Sequence, residues 1–275
     1  MLVRLQQHRV FKPWGRTEVP EAFARPGESQ PLGELWFQRP GGEGDALLVK
    51  YLFTSERLSI QVHPDDEAAR RASLSRGKDE AWLVLDAEPS AQIGIATKRP
   101  LSAEELREAA LDGSVVDLID WRHVEPGDAF YSPAGTVHSI GAGLMLLEVQ
   151  QNSDVTYRLY DFGRPRELHL DEGISAAKTG LEIKKSTARP IDEVRSVVVE
   201  GPKFIVERWN PGCGSLAADK GNPLWLIPLK SPVSANGEPL EQPGVWIADS
   251  SVSLEIDAGG ELLVAYEGCS IRPSA

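Results

Sequence analysis

Glycine and proline interrupt this chain so often that few segments between them are long enough to form a helix. The 275 residues include 25 glycines and 20 prolines. Between these turn residues, short segments such as 57–62 and 144–150 combine apolar with polar side chains, many of them in alternation. Alternation is typical of β-strands, because successive side chains of a strand point to opposite faces. The sequence therefore predicts a mainly β protein, built as a sandwich or a barrel.

One segment departs from the strand pattern. Ser102 precedes apolar residues at helical spacing and is followed three residues later by Glu105, which is the pattern of a capping box. Gly113 then provides a stop signal. These signals predict a short helical insertion over about residues 98–120. A second short helix is predicted over residues 65–75, where acidic side chains stand in the first turn.

The overall charge limits the partners of the protein. The formal net charge is −12 and the sequence pI is about 5.0, which argues against nucleic acid and against anionic membrane surfaces as partners. No apolar run reaches 18 residues, and the N-terminal residues lack the features of a signal peptide. The two cysteines, Cys213 and Cys269, form no CxxC pattern, so a reduced, cytoplasmic protein is expected. The oligomeric state is left open.

A polar, lysine-bearing stretch over residues 172–192 separates two series of predicted strands. Residues 242–248 weakly repeat a strand–turn–strand pattern of residues 124–138, but without its histidine. We therefore predict two β-units: a catalytic unit over residues 1–170 and a smaller C-terminal unit over residues 171–275 without a metal site.

Four side chains are candidates for a metal site. Gln61 and His63 are two residues apart in a predicted strand and would point to the same face. Glu80 opens another apolar strand, and His138 follows a Pro-Ala-Gly turn. Imidazole with carboxylate suits zinc and its first-row neighbours. The alternative is that the two histidines are separate structural residues.

Three cations flank these candidates. Lys50 lies inside an apolar strand, Lys78 stands two residues before Glu80, and Arg158 follows a polar segment. Together they would form a positive pocket suited to phosphate, since arginine offers a bidentate fork and lysine a point charge. Alternatively, each is a solvated surface charge, and Lys50 marks the edge of a sheet. The aromatic residues that would line a sugar ring are Trp14, Trp36 and Tyr157.

Several strings of the sequence, in order, resemble one known family: the type I mannose-6-phosphate isomerases in their short bacterial form, within the cupin superfamily. The strings are Lys12-Pro-Trp-Gly15, Gly33-Glu-Leu-Trp36, Leu58-Ser-Ile-Gln-Val-His-Pro-Asp65, Gly77-Lys-Asp-Glu80, Pro133-Ala-Gly-Thr-Val-His138 and Glu148-Val-Gln-Gln-Asn-Ser-Asp-Val-Thr-Tyr-Arg-Leu-Tyr-Asp161. The resemblance covers about residues 12–166 well and the remainder loosely.

The resemblance implies a cupin (jelly-roll) β-barrel with a second, smaller β-domain. It also implies interconversion of mannose 6-phosphate and fructose 6-phosphate through an enediol, with one zinc ion, or another divalent metal, in each chain. The residues that it assigns are Gln61, His63, Glu80 and His138 as metal ligands, Arg158, Lys78 and Asp154 as catalytic residues, and Lys50, Ser59 and Trp14 as substrate-binding residues.

The sequence departs from the longer members of the family in two respects. Those members often carry a histidine just before the lysine of the Lys-x-Glu motif, and Gly77 stands there in this chain. A proton-transfer role for that histidine therefore has no counterpart here. The long members also have a large helical domain, for which only the short predicted insertion is available.

Three other functions are considered. The first is an isomerase or epimerase for another sugar phosphate, and the second is a non-catalytic cupin sugar-binding protein. The presence of both Arg158 and Lys78 argues against the second. The third is a cupin dioxygenase, which the glutamine ligand Gln61 argues against.

Overall fold

The computed structural model describes residues 1–41 and 44–274; residues 42, 43 and 275, which the two predicted units include, lie outside the described residues. Twelve strands occupy the N-terminal part: β1 (Leu2–Arg4), β2 (Gln6–Arg16), β3 (Leu32–Gln38), β4 (Leu47–Thr54), β5 (Ile60–Val62), β6 (Glu80–Ala87), β7 (Gln92–Thr97), β8 (Ile119–His123), β9 (Ala129–Ser132), β10 (His138–Ile140), β11 (Leu144–Gln151) and β12 (Tyr157–Tyr160). Ten follow: β13 (Arg189–Pro190), β14 (Arg195–Glu200), β15 (Phe204–Trp209), β16 (Gly212–Leu216), β17 (Leu224–Lys230), β18 (Val233–Ala235), β19 (Glu238–Pro239), β20 (Trp246–Ala248), β21 (Val252–Ile256) and β22 (Glu261–Glu267). The helices are α1 (Asp66–Arg71), α2 (Ala103–Asp112), α3 (Val115–Leu118) and α4 (Leu170–Ala176), with a 3₁₀ turn at Glu21–Phe23.

These strands form four antiparallel sheets, which confirms the mainly β prediction. The first unit pairs a six-stranded sheet, in the order β2-β3-β4-β11-β6-β9, with a five-stranded sheet, β12-β5-β10-β7-β8. The second unit pairs a seven-stranded sheet, β1-β20-β17-β22-β15-β14-β13, with a four-stranded sheet, β16-β21-β18-β19. The N-terminal strand β1 thus pairs with strands of the second unit. The division at residue 170 remains a prediction.

The central strands β4 and β11 of the six-stranded sheet are buried on both faces, and this decides where their polar residues point. In β4, Val49, Tyr51 and Phe53 belong to a core cluster that also contains Val206 and Leu263 of the second unit. The intervening residues face the interior of the first unit. A strand covered on both sides has no solvent face, so its apolar run is nearly continuous.

Lys50 lies on the inner face of that sheet. Its strand, β4, is central rather than at an edge, and the side chain is only 4% exposed. The interpretation of Lys50 as an edge residue is therefore wrong, and the alternative, that it points into a cavity, is confirmed.

The helical insertion forms at the predicted place. The Ser102 side chain accepts a hydrogen bond from the backbone amide of Glu105, whose carboxylate in turn accepts from the amide of Ser102. Gly113 ends α2 in the left-handed conformation, at φ 85°. The second predicted helix is α1, with Asp65 as its N-cap. In the described ranges, no helix is long and apolar enough to cross a membrane.

Candidate metal centre and substrate pocket

Three of the four proposed metal ligands meet in the interior of the first unit. Gln61 lies in β5 and pairs with His138, the first residue of β10. His63 follows the end of β5, and Glu80 begins β6 on the facing sheet. One ligand atom from each of His63, Glu80 and His138 lies within 4.8 Å of the others, and all three side chains are buried. The three residues, distant in sequence, are therefore brought together as predicted.

The hydrogen bonds of the two histidines show which nitrogen faces the cluster. Nδ1 of His63 lies 2.8 Å from the carbonyl of Val155, and Nδ1 of His138 lies 2.9 Å from the carbonyl of Thr136. Each Nδ1 must carry the proton in order to donate to a carbonyl, so each neutral ring presents the lone pair of Nε2. The Nε2 atoms lie 3.2 Å and 3.4 Å from the two carboxylate oxygens of Glu80.

Burial keeps both histidines neutral. It lowers the pKa of His63 to about 3, an effect that the nearby Lys78 ammonium reinforces. It also lowers the pKa of His138, although the charge of Glu80 opposes the shift. Among the described residues, Oε2 of Glu80 has no hydrogen-bond partner. Unprotonated nitrogens and an unsatisfied carboxylate oxygen directed at one point form a donor set that fits a divalent cation.

The fourth proposed ligand reaches the same centre with its amide group. Nε2 of Gln61 lies 3.3 Å from Nε2 of His138, and Oε1 of Gln61 accepts a hydrogen bond from the Ser59 hydroxyl at 2.9 Å. The amide oxygen, which would be the ligating atom, thus faces Ser59 in this structure. The assignment of Gln61 as a ligand stays a prediction.

The cluster lies in the wall of a pocket that is partly open to solvent. The pocket brings together the metal-ligand, catalytic and substrate-binding residues assigned by the resemblance except His63, which contacts it through Glu80 and Lys78. Of the three aromatic residues expected to line a sugar ring, Trp14 is in its lining, whereas Trp36 and Tyr157 are not. The residues in its lining are Lys12, Trp14, Glu34, Lys50, Leu52, Leu58, Ser59, Gln61, Lys78, Glu80, Trp82, His138, Ile140, Glu148, Asp154, Thr156, Arg158 and Arg166.

Lys78 is buried among carboxylates. Its Nζ lies 2.8 Å from Oε1 of Glu80 and 3.4 Å from Nε2 of His63. Burial disfavours the ammonium, but the charges of Glu80 and Glu148 outweigh this effect and raise the pKa of Lys78. Lys78 is therefore a cation in this arrangement, which suits it to donate a proton rather than to accept one.

Arg158 extends from β12 into the same pocket. One of its nitrogens donates to the carbonyl of Glu167 at 2.7 Å, whereas its buried Nε has no hydrogen-bond partner among the described residues. Burial and the neighbouring guanidinium of Arg166 lower the pKa of Arg158. Two cations so close together, one with an unused donor, favour binding of an anion.

Four charged lining residues were given no role by the sequence analysis: Lys12, Glu34, Glu148 and Arg166. Glu148 is the most informative of them. It lies in the apolar strand β11, directly across from Lys50, and its carboxylate is 3.6 Å from Nζ of that lysine. A charged residue inside an apolar strand is the signal that would have found it, since the same signal identified Lys50. Burial raises the pKa of Glu148 to about 7.

This raised pKa predicts a pH-dependent loss of stability in the metal-free protein. Between about 4.5 and about 7, the folded protein retains on Glu148 a proton that the unfolded chain has released. The contribution of this group is therefore fully present below about pH 4.5 and is lost as the pH rises through about 7. Urea titrations give the free energy of unfolding at pH 5 and at pH 8. The decrease from pH 5 to pH 8 should be smaller for Glu148→Gln than for the unchanged protein. Glu255→Gln, at an exposed position, serves as control. The same decrease in the free energy of unfolding in all three proteins would contradict the prediction.

Comparison with known proteins agrees with this geometry. A scan against protein-family models finds no match. The chain is 37% identical over 212 residues to mannose-6-phosphate isomerase ManA of Bacillus subtilis (strain 168), covering 71% of this chain and 67% of that one. It is 31% identical over 245 residues to the probable mannose-6-phosphate isomerase GmuF of the same organism, covering 73% and 77% of the two chains.

Solved structures of mannose 6-phosphate isomerases are similar to this one over nearly the whole chain. The crystal structure of the mannose 6-phosphate isomerase from Bacillus subtilis superposes with a TM-score of 0.77 at 26% identity, covering 96% of this chain and 99% of that one. A putative mannosephosphate isomerase from Archaeoglobus fulgidus gives a TM-score of 0.74 at 19% identity, covering 97% of both chains, which shows a shared fold. The predicted cupin fold is thereby confirmed, and the chain belongs to the mannose-6-phosphate isomerase family.

Proposed function

We propose that this protein is an aldose–ketose isomerase that interconverts mannose 6-phosphate and fructose 6-phosphate through an enediol. One observation carries the proposal: a buried set of unprotonated donor atoms lies in the wall of a pocket that also presents lysine and arginine side chains. This combination suits a substrate that carries both a carbonyl group and a phosphate. The relatives and the solved structure named above bear the same activity in their names.

The donor set supports a single divalent metal in each chain, and we propose zinc. His63, Glu80 and His138 would hold it, with Gln61 as the fourth ligand. Two neutral imidazoles and one carboxylate are typical zinc ligands. With a single carboxylate, the loaded site keeps a net positive charge. When bound, the metal supplies Lewis-acid polarisation of the substrate oxygens.

Proton transfer is assigned to Lys78 and Asp154. The reaction removes the proton from C2 of the sugar and returns it to C1, so one group must accept and then release it. Asp154 lines the pocket and lies close enough to Lys78 for its charge to be felt there. We propose that Asp154 carries this proton. Lys78, an ammonium before the reaction, gives a proton to the oxyanion that develops on O1 and regains one from the C2 hydroxyl as the new carbonyl forms.

Binding and charge stabilisation are assigned to the other polar residues. Arg158, with its unused Nε donor, would stabilise the negative charge of the enediol. Lys50 and Ser59 would bind the phosphate; protonation of Glu148, whose pKa is about 7, leaves Lys50 free to do so. The buried ring of Trp14 forms an apolar side of the pocket. A cytoplasmic location is also proposed, supported by the two free, exposed cysteines.

Purified protein, mannose 6-phosphate and coupled detection of fructose 6-phosphate test this function. Turnover is expected, together with its loss after treatment with a chelator and its recovery when zinc is added back. Glucose 6-phosphate and ribose 5-phosphate, assayed in parallel, test the alternative sugar-phosphate isomerases. Metal binding without turnover of any of these sugars would contradict the proposed activity and favour a sugar-binding protein.

A further inference from the structure

The segment over residues 77–80, which carries Lys78 and Glu80, is held by side chains from outside the pocket. Oδ1 of Asp66 accepts a hydrogen bond from the backbone amide of Gly77 at 2.8 Å and another from Nε2 of Gln151 at 3.1 Å. Oε1 of Gln151 in turn accepts from the backbone amide of Asp79 at 3.0 Å. Asp66 and Gln151 therefore fix the backbone on both sides of Lys78.

The side chain of Asp79 connects this segment to a second part of the site. Its carboxylate is 4% exposed and accepts hydrogen bonds from the Tyr131 hydroxyl at 2.5 Å and from the backbone amide of Ala134 at 3.1 Å. Ala134 belongs to the turn that leads to His138. The same group of hydrogen bonds thus holds the strand that begins at Glu80 and the turn that precedes His138.

The second β-unit contributes to this network through the loop between β14 and β15. Nζ of Lys203 lies 2.5 Å from Oδ2 of Asp66. Gly201 packs so closely against Tyr131 that a Cβ atom there would lie 2.0 Å from the aromatic ring. The ring of Phe204 lies 5.4 Å from that of Tyr131. This loop therefore contacts both Asp66 and Tyr131, which hold residues 77–80.

We propose that residues 201–204 of the second β-unit position the active site of the first, with Lys203 acting as a positioning residue through Asp66. Lys203 does not line the pocket, so its effect on Lys78 and Glu80 would be indirect. The kinetic part of this inference rests on the function proposed above. The structural part rests only on the contacts between the two units.

The charge of Asp66 explains why Lys203 would matter. Burial disfavours that charge, but the hydrogen bonds from Lys203 and from the Gly77 amide outweigh burial and lower the pKa of Asp66 to about 2. Without the lysine, a half-buried carboxylate loses its charged partner while it still holds the Gly77 amide and Gln151. A small shift of residues 77–80 would follow, and a displacement of about 1 Å at catalytic groups can cost about a hundredfold in rate.

The test compares Lys203→Met with Lys230→Met. Lys230 is an exposed lysine of the same unit that pairs with Glu261, away from the pocket. For Lys203→Met we expect kcat to fall about tenfold with KM changed by less than about threefold, and the affinity for zinc to fall about tenfold, the lower end of what loss of an indirect metal-site contact costs. Zinc affinity is measured by competition with a chromophoric chelator. Lys203→Arg should restore both quantities, and Lys230→Met should match the unchanged protein.

Two outcomes would overturn the inference. One is a Lys203→Met protein with the kcat and zinc affinity of Lys230→Met. The other is an effect confined to KM, which would make the loop part of substrate binding instead. If Lys203→Met does not fold, Asp66→Asn tests the same connection from the other side. If the unchanged protein does not turn over mannose 6-phosphate, the proposed function fails, while the zinc affinities still decide the positioning role.

Discussion

His138→Ala is expected to abolish both metal binding and turnover. His138 supplies one of three ligand atoms that lie within 4.8 Å of one another, and apart from His63 no other histidine or cysteine in the described residues belongs to this group. Its loss leaves one imidazole and one carboxylate, fewer protein ligands than the three that a catalytic zinc site normally has. Because Lewis-acid stabilisation of the transition state is worth several kcal/mol, turnover should fall by at least about a thousandfold.

Two measurements check this prediction. Elemental analysis of the purified protein should show about one metal per chain before the substitution and almost none after it. The coupled isomerase assay should show the corresponding loss of rate. His123→Ala is the matched control, because His123 is exposed in β8, where its side chain contacts that of Gln92, and neither residue lines the pocket. Retention of both metal and activity by His138→Ala would show that this histidine is structural, as the alternative interpretation of the sequence holds.

Arg158→Ala is expected to lower kcat by about a hundredfold to a thousandfold, the range found when one donor to a developing oxyanion is removed. The Nε of Arg158 is buried without a partner among residues 1–41 and 44–274, and the residue lines the pocket in which the substrate would bind. Arg158 is not a proposed metal ligand, and the metal content should therefore remain that of the unchanged protein. This separates the substitution from His138→Ala, which should lose metal and rate together.

The control for Arg158→Ala is Arg189→Ala in the second unit. Arg189 is half exposed and pairs with Glu200, outside the pocket. Steady-state kinetics with mannose 6-phosphate and elemental analysis are the two readouts. Full activity of Arg158→Ala would rule out its role in charge stabilisation. A loss of metal in that variant would instead show that Arg158 supports the structure of the metal centre.

Local sequence pattern predicted correctly those residues whose side-chain orientation or conformation depends on neighbours within the same short segment. The i, i+2 spacing of Gln61 and His63 predicts that both point the same way, and both side chains contact the cluster: Gln61 lies next to His138 and His63 next to Glu80. The capping box at Ser102 and the stop at Gly113 depend on residues within one short segment. The resemblance added Ser59 and Asp154, which line the pocket although nothing in their local pattern distinguishes them.

Glu148 and Lys203 mark where such prediction ends. Glu148 faces Lys50 because β11 and β4 pair in a particular register, and that register depends on contacts between strands far apart in the chain. In the sequence, nothing distinguishes Lys203 from an ordinary surface lysine. Its ion pair with Asp66 is seen only in the structure, where the loop between β14 and β15 packs against the first unit. Both depend on how sheets pack on one another.

The sequence alone was sufficient for the class of fold, the short helical insertion and the chemical types of the site residues. Strand periodicity, helix capping and ligand chemistry are properties of short segments, so they can be recognised without coordinates. Only the tertiary structure decided that Lys50 is buried in a central strand, that both Nε2 atoms face Glu80, and that the second unit reaches residues 77–80 through Asp66. These features arise from sheet register and from the packing of the six-stranded sheet between two others, which bring together residues that are distant along the chain.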